Sequence, residues 1–526
     1  MKAFLMHADR DFDLEQKPPW NEQALLQDLE LPSLFSAMAQ GDEFLFEVAK
    51  KAFLFSLSDL DTILYRQNIL RDCLNNPSIV RDIYAIAVES IEKEKKHYFG
   101  FLSNYPDTIL NRSIEVLQMF VVMLKKLTNI GDEHAGKFES DGFRAFFAML
   151  NKELSDEYFA SIQNHLRRVK FRGGVLMSAE LGKGGKGANY ILRKPQDRKQ
   201  SWIQWLFEQL PVQRWMQWLF ELFEGQPAVY TLYIHPRDES GARALSELRD
   251  RGINLVANAL AQSLDHILSF FSMLRTELAF YVGCVNLHQQ LAKKGEPMSF
   301  PLPVAVGERR LAFKGIYDVC LALRLEQRTV GNDVNADSKQ LVIITGANQG
   351  GKSTFLRSAG LSQLMMQCGM FVPAESFCSN VCYGLFTHYK REEDAAMKSG
   401  KFDEELSRMS DIVDNVTPNS ILLFNESFAA TNEREGAEIA KQIISALLEK
   451  QIKVFFVTHS YECAHSFYDK EMENAIFLRA ERQPDGVRTF KLLEGEPLQT
   501  SYGQDLYNKI FTSGTDLSRQ LSPKLL

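Results

Sequence analysis

The chain has 526 residues, of which 45% are hydrophobic and 24% are charged. Its length corresponds to three or four domains, and its composition excludes a disordered or fibrous protein. With 60 basic and 67 acidic residues the net charge is -7, which argues against a chain that coats nucleic acid with its whole surface but leaves room for a local basic patch.

The N-terminus and the cysteines indicate the cellular compartment. No apolar run followed by a small-residue cleavage site opens the chain, and no uninterrupted apolar stretch of about 18 residues occurs in it. The seven cysteines are scattered and odd in number. These features predict a cytoplasmic protein with free thiols and no transmembrane segment.

The first half of the chain is predicted to be mainly helical. A polar N-terminal segment, 1–30, precedes a helical core and lever region, 31–168, in which apolar residues recur at three- and four-residue spacing. Residues 169–237 form a basic clamp or connector region with strands, and Gly182–Gly187 forms a hairpin tip within it. Residues 238–298 are predicted to be one or two long returning lever helices, with a possible break at Gly252.

Residues 299–526 alternate between strand and helix patterns, which predicts a mostly parallel sheet. The strongest motif lies here, in LVIITGANQGGKST (Leu341–Thr354), where an apolar strand, a G-x-x-x-x-G-K-[ST] loop and a helix follow one another. Glycines let backbone N–H groups surround phosphate oxygens at a helix N-terminus. The predicted nucleotide-binding residues of the loop are Gly346, Ala347, Asn348, Gln349, Gly350, Gly351, Lys352, Ser353 and Thr354.

Each polar residue of this region suits a defined task. Lys352 is expected to reach the β and γ phosphates, and the Ser353 hydroxyl to ligate Mg²⁺. A second strand, SILLFNESF, ends in Asn425 and Glu426. Glu426 suits activation of the attacking water, whereas Asn425 serves Mg²⁺ through water and lacks the charge of the usual Asp, which predicts slow turnover. A third strand ends in His459, which we expect to sense the γ-phosphate.

These motifs resemble those of the MutS family, the DNA mismatch-repair-type ATPases of the ABC class. TGANQGGKST is similar to that family's TGPNMGGKST, and VGNDV, GMFVPAES and SYGQDL are similar to further family segments. The resemblance is dense over about 325–510. It implies an α/β P-loop ABC-class ATPase domain over 299–526 with a C-terminal dimerisation segment, ATP with Mg²⁺, a homodimer that completes each ATP site, and placement of Asn332 and Asp333 near the nucleotide.

The resemblance also implies a function. ATP binding and hydrolysis would drive clamp-like closure of the homodimer on duplex or branched DNA, in DNA repair or recombination. Nothing here resembles the family's mismatch-reading domain, so we expect a short form that lacks it. The family's signature loop is altered to Ser399-Gly400-Lys401-Phe402, without the Ser-Thr pair, and Ser399 is the substitute candidate.

A basic hairpin is the candidate DNA contact. Ten basic and two acidic residues lie between Arg167 and Lys199, and contacts of this kind bind phosphate without reading sequence. A solvated surface hairpin is the alternative. The candidate residues are Arg168, Lys170, Arg172, Lys183, Lys186, Arg193 and Lys194.

Residues 201–225 hold four of the five tryptophans, which favours packing between helical arms or a contact with a protein partner. A membrane contact is the weaker alternative, because Arg214 is the segment's only basic residue. Two rival functions therefore stay open: a nucleotide-gated binding protein without catalysis, and an ATPase that acts on a protein or membrane partner.

Overall fold

The computed structural model describes residues 1–98, 106–169, 177–181, 187–192, 239–391, 400–484 and 486–498. The chain divides into two compact units. The first comprises the described residues of Met1–Ala3, Arg81–Phe138 and Phe143–Arg275, and the second those of Phe4–Val80, Glu139–Gly142 and Thr276–Leu526.

Helices dominate the first half of the chain, as the spacing of apolar residues predicts. Short 3₁₀ turns lie at Ala135–Lys137 and Val306–Glu308. The described α-helices are α1 (Glu22–Asp28), α2 (Leu31–Ala39), α3 (Glu43–Leu54), α4 (Leu60–Asn75), α5 (Pro77–Tyr98), α6 (Pro106–His134), α7 (Asp141–Glu153), α8 (Asp156–Val169), α9 (Glu239–Lys293), α10 (Val319–Arg324), α11 (Lys352–Gln367), α12 (Lys401–Asn415), α13 (Glu433–Glu449) and α14 (Tyr461–Tyr468).

The described strands form three sheets, so the protein has a mixed helix and sheet fold. In sheet order the three are β1-β2, β3-β7-β4-β5 and β12-β11-β6-β10-β9-β8. The strands are β1 (Met177–Leu181), β2 (Gly187–Leu192), β3 (Leu302–Val304), β4 (Leu311–Ile316), β5 (Asn332–Asn335), β6 (Leu341–Gly346), β7 (Ser376–Asn380), β8 (Leu385–Tyr389), β9 (Ile421–Asn425), β10 (Lys453–Val457), β11 (Ala475–Arg482) and β12 (Arg488–Glu494).

The first unit is a helical assembly with an aromatic core. The apolar residues of α6 recur every three or four positions, so one stripe of this helix is buried. Phe120 of α6 packs on Phe271 of α9 with ring centroids 5.6 Å apart. The predicted strand pair is confirmed here, because β1 and β2 are antiparallel. Helix α9 runs without interruption through Gly252, so of the two predicted alternatives a single long helix is confirmed and the break does not occur.

In the second unit, buried polar side chains hold the N-terminal segment. The Glu277 carboxylate of α9 accepts hydrogen bonds from the backbone N–H groups of Leu5 at 2.6 Å and Phe12 at 3.1 Å. The Tyr281 hydroxyl donates to the Leu5 carbonyl at 2.5 Å, and Arg66 of α4 donates to the Met6 carbonyl at 2.8 Å. The segment's backbone is therefore satisfied by side chains and not by a sheet.

The six-stranded sheet forms the core of the second unit. Strands β11, β6, β10, β9 and β8 are parallel, as the alternating strand and helix pattern predicts, and β12 closes the edge antiparallel. One face packs on α13 and α14 through buried residues that include Phe424 and Phe456. Helix α11 approaches the other face so closely that a Cβ on Gly360 would lie 2.6 Å from Leu423 Cδ1. The four-stranded sheet beside it was not predicted.

One segment of α9, Val256–Lys293, is long and apolar enough to cross a membrane by length and composition alone. However, 72% of its most apolar window is buried inside the fold, which is the pattern of a core helix. The seven cysteines are all free; six are buried and Cys378 is partly exposed.

Candidate functional site

Three parallel strands bring the predicted polar residues to one edge of the six-stranded sheet. Strand β10 lies between β6 and β9 and pairs with both, with Phe456 opposite Ile343 on one side and Phe424 on the other. Because parallel strands end at the same edge, the loops after Gly346, Asn425 and Val457 meet there. This edge is the candidate functional site.

The glycine loop between β6 and α11 needs its glycines. Gly346 and Gly351 have φ angles of 111° and 89°, a backbone region that residues with a Cβ avoid. A Cβ on Gly346 would lie 2.8 Å from the Ala480 backbone nitrogen, and one on Gly350 would lie 2.8 Å from the Ala347 oxygen. Gly351 is also the N-cap of α11, so the first N–H groups of that helix open onto the loop.

Lys352 places a cation inside the loop. Its buried ammonium donates hydrogen bonds to the carbonyl oxygens of Gly346 at 3.0 Å and Ala347 at 2.9 Å. Burial lowers its pKa to about 8, and the negative charge of Glu426 opposes that shift. A phosphate group entering the loop would favour the charged ammonium, because it would replace the lost water with an anion.

Ser353 and Asn425 are in direct contact at the opening of the loop. The Ser353 hydroxyl donates to Asn425 Oδ1 at 2.8 Å. The backbone oxygen of Asn425 accepts from the N–H of Lys390, the residue that follows β8, at 3.0 Å. Hydroxyl and amide oxygens are ligands that Mg²⁺ accepts directly or through water, so these side chains fit the ion, although without a carboxylate's charge.

Glu426 and His459 form the second contact pair. His459 Nε2 lies 2.9 Å from Glu426 Oε1, and both side chains are 31% exposed. The hydrogen bond with His459 is the main cause that lowers the pKa of Glu426, with Lys390 and Lys352 adding to it. Glu426 is therefore ionised at neutral pH. Its φ of 55° is strained for a residue with a Cβ, and its N–H donates to Val457 O at 2.9 Å.

Asn332 and Asp333 have anchoring contacts in the four-stranded sheet. The buried Asn332 side chain donates to the Phe490 carbonyl at 3.2 Å and accepts from the Leu492 N–H at 2.7 Å, which fixes β12. The Asp333 carboxylate accepts from the Gly315 N–H at 2.6 Å.

The hairpin of β11 and β12 adds residues that sequence reasoning missed. Phe490, with φ 60° and 48% exposed, lies beside the glycine loop, where a Cβ on Gly351 would be 3.6 Å from its own Cβ. Arg488 Nε donates to the Asn348 carbonyl at 3.4 Å. No local motif marks either residue, because the hairpin follows the loop by more than a hundred positions and meets it only through the β11–β6 pairing.

Several predicted residues lie outside the described residues. These are the Trp-rich segment 201–225, the predicted strand at 228–236, Ser399 of the signature loop and the SYGQDL segment at 501–506. Of the basic DNA-contact candidates, Arg168 belongs to α8. The other six, Lys170, Arg172, Lys183, Lys186, Arg193 and Lys194, also fall outside the described part.

Two family models match the chain. The model described as the MutS2 N-terminal domain matches residues 58–294, and the one described as MutS domain V matches residues 342–512, which include the glycine loop, Glu426 and His459.

Curated relatives carry the same family name. DNA mismatch repair protein MutS of Thermotoga maritima is 34% identical over 182 residues, covering 34% of this chain and 23% of that protein. The protein of the same name from Streptococcus thermophilus is 28% identical over 263 residues, covering 49% and 30%. MutS protein homolog 4 of Mus musculus is 28% identical over 231 residues, covering 41% and 24%.

In each of these comparisons the chain spans less than a third of the relative's length. The two family models nevertheless cover both halves of the chain under one family name, and the relatives agree with them. The chain belongs to the MutS family.

Proposed function

We propose that this protein is a DNA-binding ATPase that converts ATP to ADP and phosphate. The observation that carries the proposal is the meeting of five polar side chains at one edge of a parallel sheet, next to a glycine loop and a helix N-terminus. They are Lys352, Ser353, Asn425, Glu426 and His459.

In this proposal the glycine loop and Lys352 bind the phosphates of ATP. The backbone N–H groups at the start of α11 add donors and the positive end of the helix dipole. Because the Lys352 ammonium already lies inside the loop, it can turn from carbonyl oxygens to phosphate oxygens with little movement. Phe490, exposed beside Gly351, offers an apolar surface to the rest of the nucleotide.

Glu426 and His459 would act on the γ-phosphate side. Glu426 is ionised and half-buried, so it can accept a hydrogen bond from the attacking water and then accept the proton of that water as a general base. His459 holds that carboxylate at 2.9 Å, and we propose that it senses the γ-phosphate as well. Ser353 and, through water, Asn425 would hold Mg²⁺, which supplies positive charge to phosphate oxygens when bound.

Steady-state phosphate release by the wild type and by Glu426→Gln tests the catalytic part. Loss of a general base costs about 10²- to 10⁴-fold in rate, so we expect the variant to fall to near background while it still binds ATP. Glu449→Gln, at the exposed end of α13, is the matched control and should retain the wild-type rate. Equal background rates for the wild type and Glu426→Gln would contradict the ATPase proposal.

Asn425 favours a second candidate function, a nucleotide-gated binding protein. Its neutral amide contacts Ser353 where a carboxylate would strengthen metal binding, so ATP could be bound and hardly turned over. Tight ATP binding together with background phosphate release would support this candidate and exclude the enzyme.

We further propose a homodimer in which ATP binding closes the nucleotide domains and shifts the helical arms on duplex or branched DNA. The support is family membership and the names of the relatives, two of which are called DNA mismatch repair proteins. A cytoplasmic role in DNA repair or recombination fits these names. Sedimentation velocity with and without a non-hydrolysable ATP analogue tests the dimer, and unchanged association would contradict closure.

A further inference from the structure

A second polar site lies at the amino-terminal ends of the parallel strands of the six-stranded sheet, opposite the candidate functional site. A small open cavity lies where β6, β9 and β10 begin, beside the turn that precedes β4. We call it the basal cavity, and its polar lining includes Arg309, Lys339, Gln340, Asn419, Gln451 and Lys453. We infer that the basal cavity binds a phosphate-type oxyanion, a ligand that no known role of the chain assigns to it.

The charge of the lining supports an anion. Arg309, Lys339 and Lys453 contribute three cations, and the described residues that line the cavity include no carboxylate. A concave surface lined by charges of one sign concentrates counter-ions, because its low-dielectric wall focuses the electric field of those charges.

Lys453 is one of the residues that line the cavity. It is the first residue of β10, and its backbone N–H donates a hydrogen bond to the Ser420 carbonyl at 2.9 Å. Among the described residues, none forms a hydrogen bond or an ion pair with the Lys453 ammonium, and its interaction with Asp337 is electrostatic only. Partial burial disfavours the charged form of this ammonium, and a bound anion would offset that effect.

The acid that interacts electrostatically with Lys453 has other partners. Asp337 is the main charge that stabilises the Lys453 ammonium. However, its Oδ2 lies 3.2 Å from Arg310 Nε, and its Oδ1 accepts from the Leu311 N–H at 2.8 Å. These contacts hold the Asp337 carboxylate at the start of β4, so the Lys453 ammonium remains available to a ligand.

The other two cations are held in place by neutral acceptors. The Arg309 guanidinium donates to Gln451 Oε1 at 2.6 Å, and the Lys339 ammonium donates to the Glu473 carbonyl at 2.6 Å. Gln340 Nε2 also donates to Gln451 Oε1, at 3.1 Å. A guanidinium has five N–H groups and an ammonium has three, so these contacts orient each cation while leaving donors for an oxyanion.

Sulfate is the probe for the test, because it does not change charge near neutral pH. Phosphate-type anions should also enter the glycine loop, so the parent protein is full-length Lys352→Ala. Calorimetric titration at constant ionic strength should show saturable sulfate binding to the parent. Adding Lys453→Met should weaken it roughly tenfold or more, as expected for loss of a charged hydrogen bond.

Lys450→Met is the matched control, because Lys450 is exposed on the same connection but does not line the cavity. It should leave sulfate affinity unchanged. Absence of saturable binding by the parent, or equal affinity with and without Lys453, would overturn the proposal. A parallel titration with AMP identifies the source of the phosphate group: tighter binding than sulfate, lost with Lys453, assigns a phosphomonoester, and weaker binding lost in the same way assigns a free anion.

A pH series on the parent tests the site without changing Lys453. Burial lowers the pKa of Lys453 to about 8, and the groups that face it are Asp337, Cys382 and Arg309. Burial raises the pKa of Cys382 to about 12, so that thiol stays neutral. Sulfate affinity should therefore fall severalfold from about pH 7 to about pH 9.5 as the ammonium loses its proton. A flat profile would contradict a role for Lys453.

Discussion

Asn425 is the residue at which this site departs most clearly from a charged metal site. Its amide oxygen accepts from Ser353 at 2.8 Å. We predict that Asn425→Asp raises the rate of ATP hydrolysis by about tenfold and lowers the Mg²⁺ concentration needed for half-maximal rate, because a carboxylate adds a full negative charge at the same position. Phosphate release measured across a Mg²⁺ series checks both effects.

Asn415→Asp provides the control for this prediction. Asn415 is exposed at the end of α12, and its side-chain amide donates to the Asp411 carbonyl of the same helix at 2.8 Å. It should leave rate and Mg²⁺ dependence unchanged. If Asn425→Asp behaves in the same way, the amide does not limit turnover.

Phe490 permits a prediction about nucleotide affinity. An aromatic ring beside a phosphate loop can stack on a base, an interaction worth about 1–3 kcal/mol. We therefore predict that Phe490→Ala weakens binding of a fluorescent ATP analogue by about 5- to 100-fold. Val487→Ala, on a residue 52% exposed in the same hairpin, should have no effect. An unchanged dissociation constant for Phe490→Ala would place the nucleotide elsewhere.

Much of the site could be predicted at the residue scale, and the reason is physical. The polar residues of the site lie at the ends of short apolar strands or in the loops that follow them. Because parallel strands end at one edge, local patterns predict that these residues meet. The contact between Glu426 and His459 and the position of Phe490 depend on loop conformations and strand order. Apolar periodicity does not encode these features.

At the scale of elements, the hydrogen bonds between Glu277 of α9 and the N-terminal segment make the stability of the fold depend on pH. Burial raises the pKa of Glu277 to about 7 from 4.5. Between these values the folded protein keeps a proton that the unfolded chain has lost, so the free energy of unfolding falls as pH rises through this window. We predict that Glu277→Gln removes this fall, a change of up to about 3 kcal/mol relative to the wild type.

Chemical denaturation of both proteins from about pH 4.5 to about pH 8 measures the difference. His7, whose pKa is lowered to about 4 by burial and by Arg66, gives an opposite slope, but it is present in both proteins and cancels. Glu471→Gln, an exposed substitution, should follow the wild type throughout. Parallel curves for wild type and Glu277→Gln would show that folding does not shift the pKa of Glu277 and would contradict this prediction.

Element prediction succeeded where periodicity is strong and failed where tertiary contacts decide. The helices over 31–168 have long, regular apolar patterns, and the short strands β6, β9 and β10 are nearly continuous apolar runs. The strands of the four-stranded sheet include polar segments such as NDVN and SFCSN, so no apolar run marks them. The burial of Leu5 and Met6 in a polar N-terminal segment depends on Glu277 and Tyr281, far along the chain.

At the scale of the whole molecule, the DNA proposal predicts a strong dependence on salt. Affinity for a DNA duplex should fall steeply with salt concentration, because each neutralised phosphate releases counter-ions. Lys183→Glu combined with Lys186→Glu should lower the slope of log affinity against log salt by about 2. Fluorescence anisotropy with a labelled duplex measures both.

The control for this prediction reverses the same number of charges elsewhere. Lys450→Glu combined with Lys470→Glu alters exposed lysines and should leave the slope nearly unchanged. Salt-independent binding, or equal slopes for the two double variants, would argue for a protein partner in place of DNA.

The burial of most cysteines would allow the proposed closure of the homodimer to be followed by fluorescence spectroscopy. Six thiols are buried, and burial raises the pKa of Cys368, Cys382 and Cys463 to about 12. Thiolates are the species that maleimides modify, so only the partly exposed Cys378 should compete for a dye under native conditions. Replacing Cys378 with serine would give a background in which one engineered surface cysteine per copy reports inter-subunit distances by energy transfer during a nucleotide cycle.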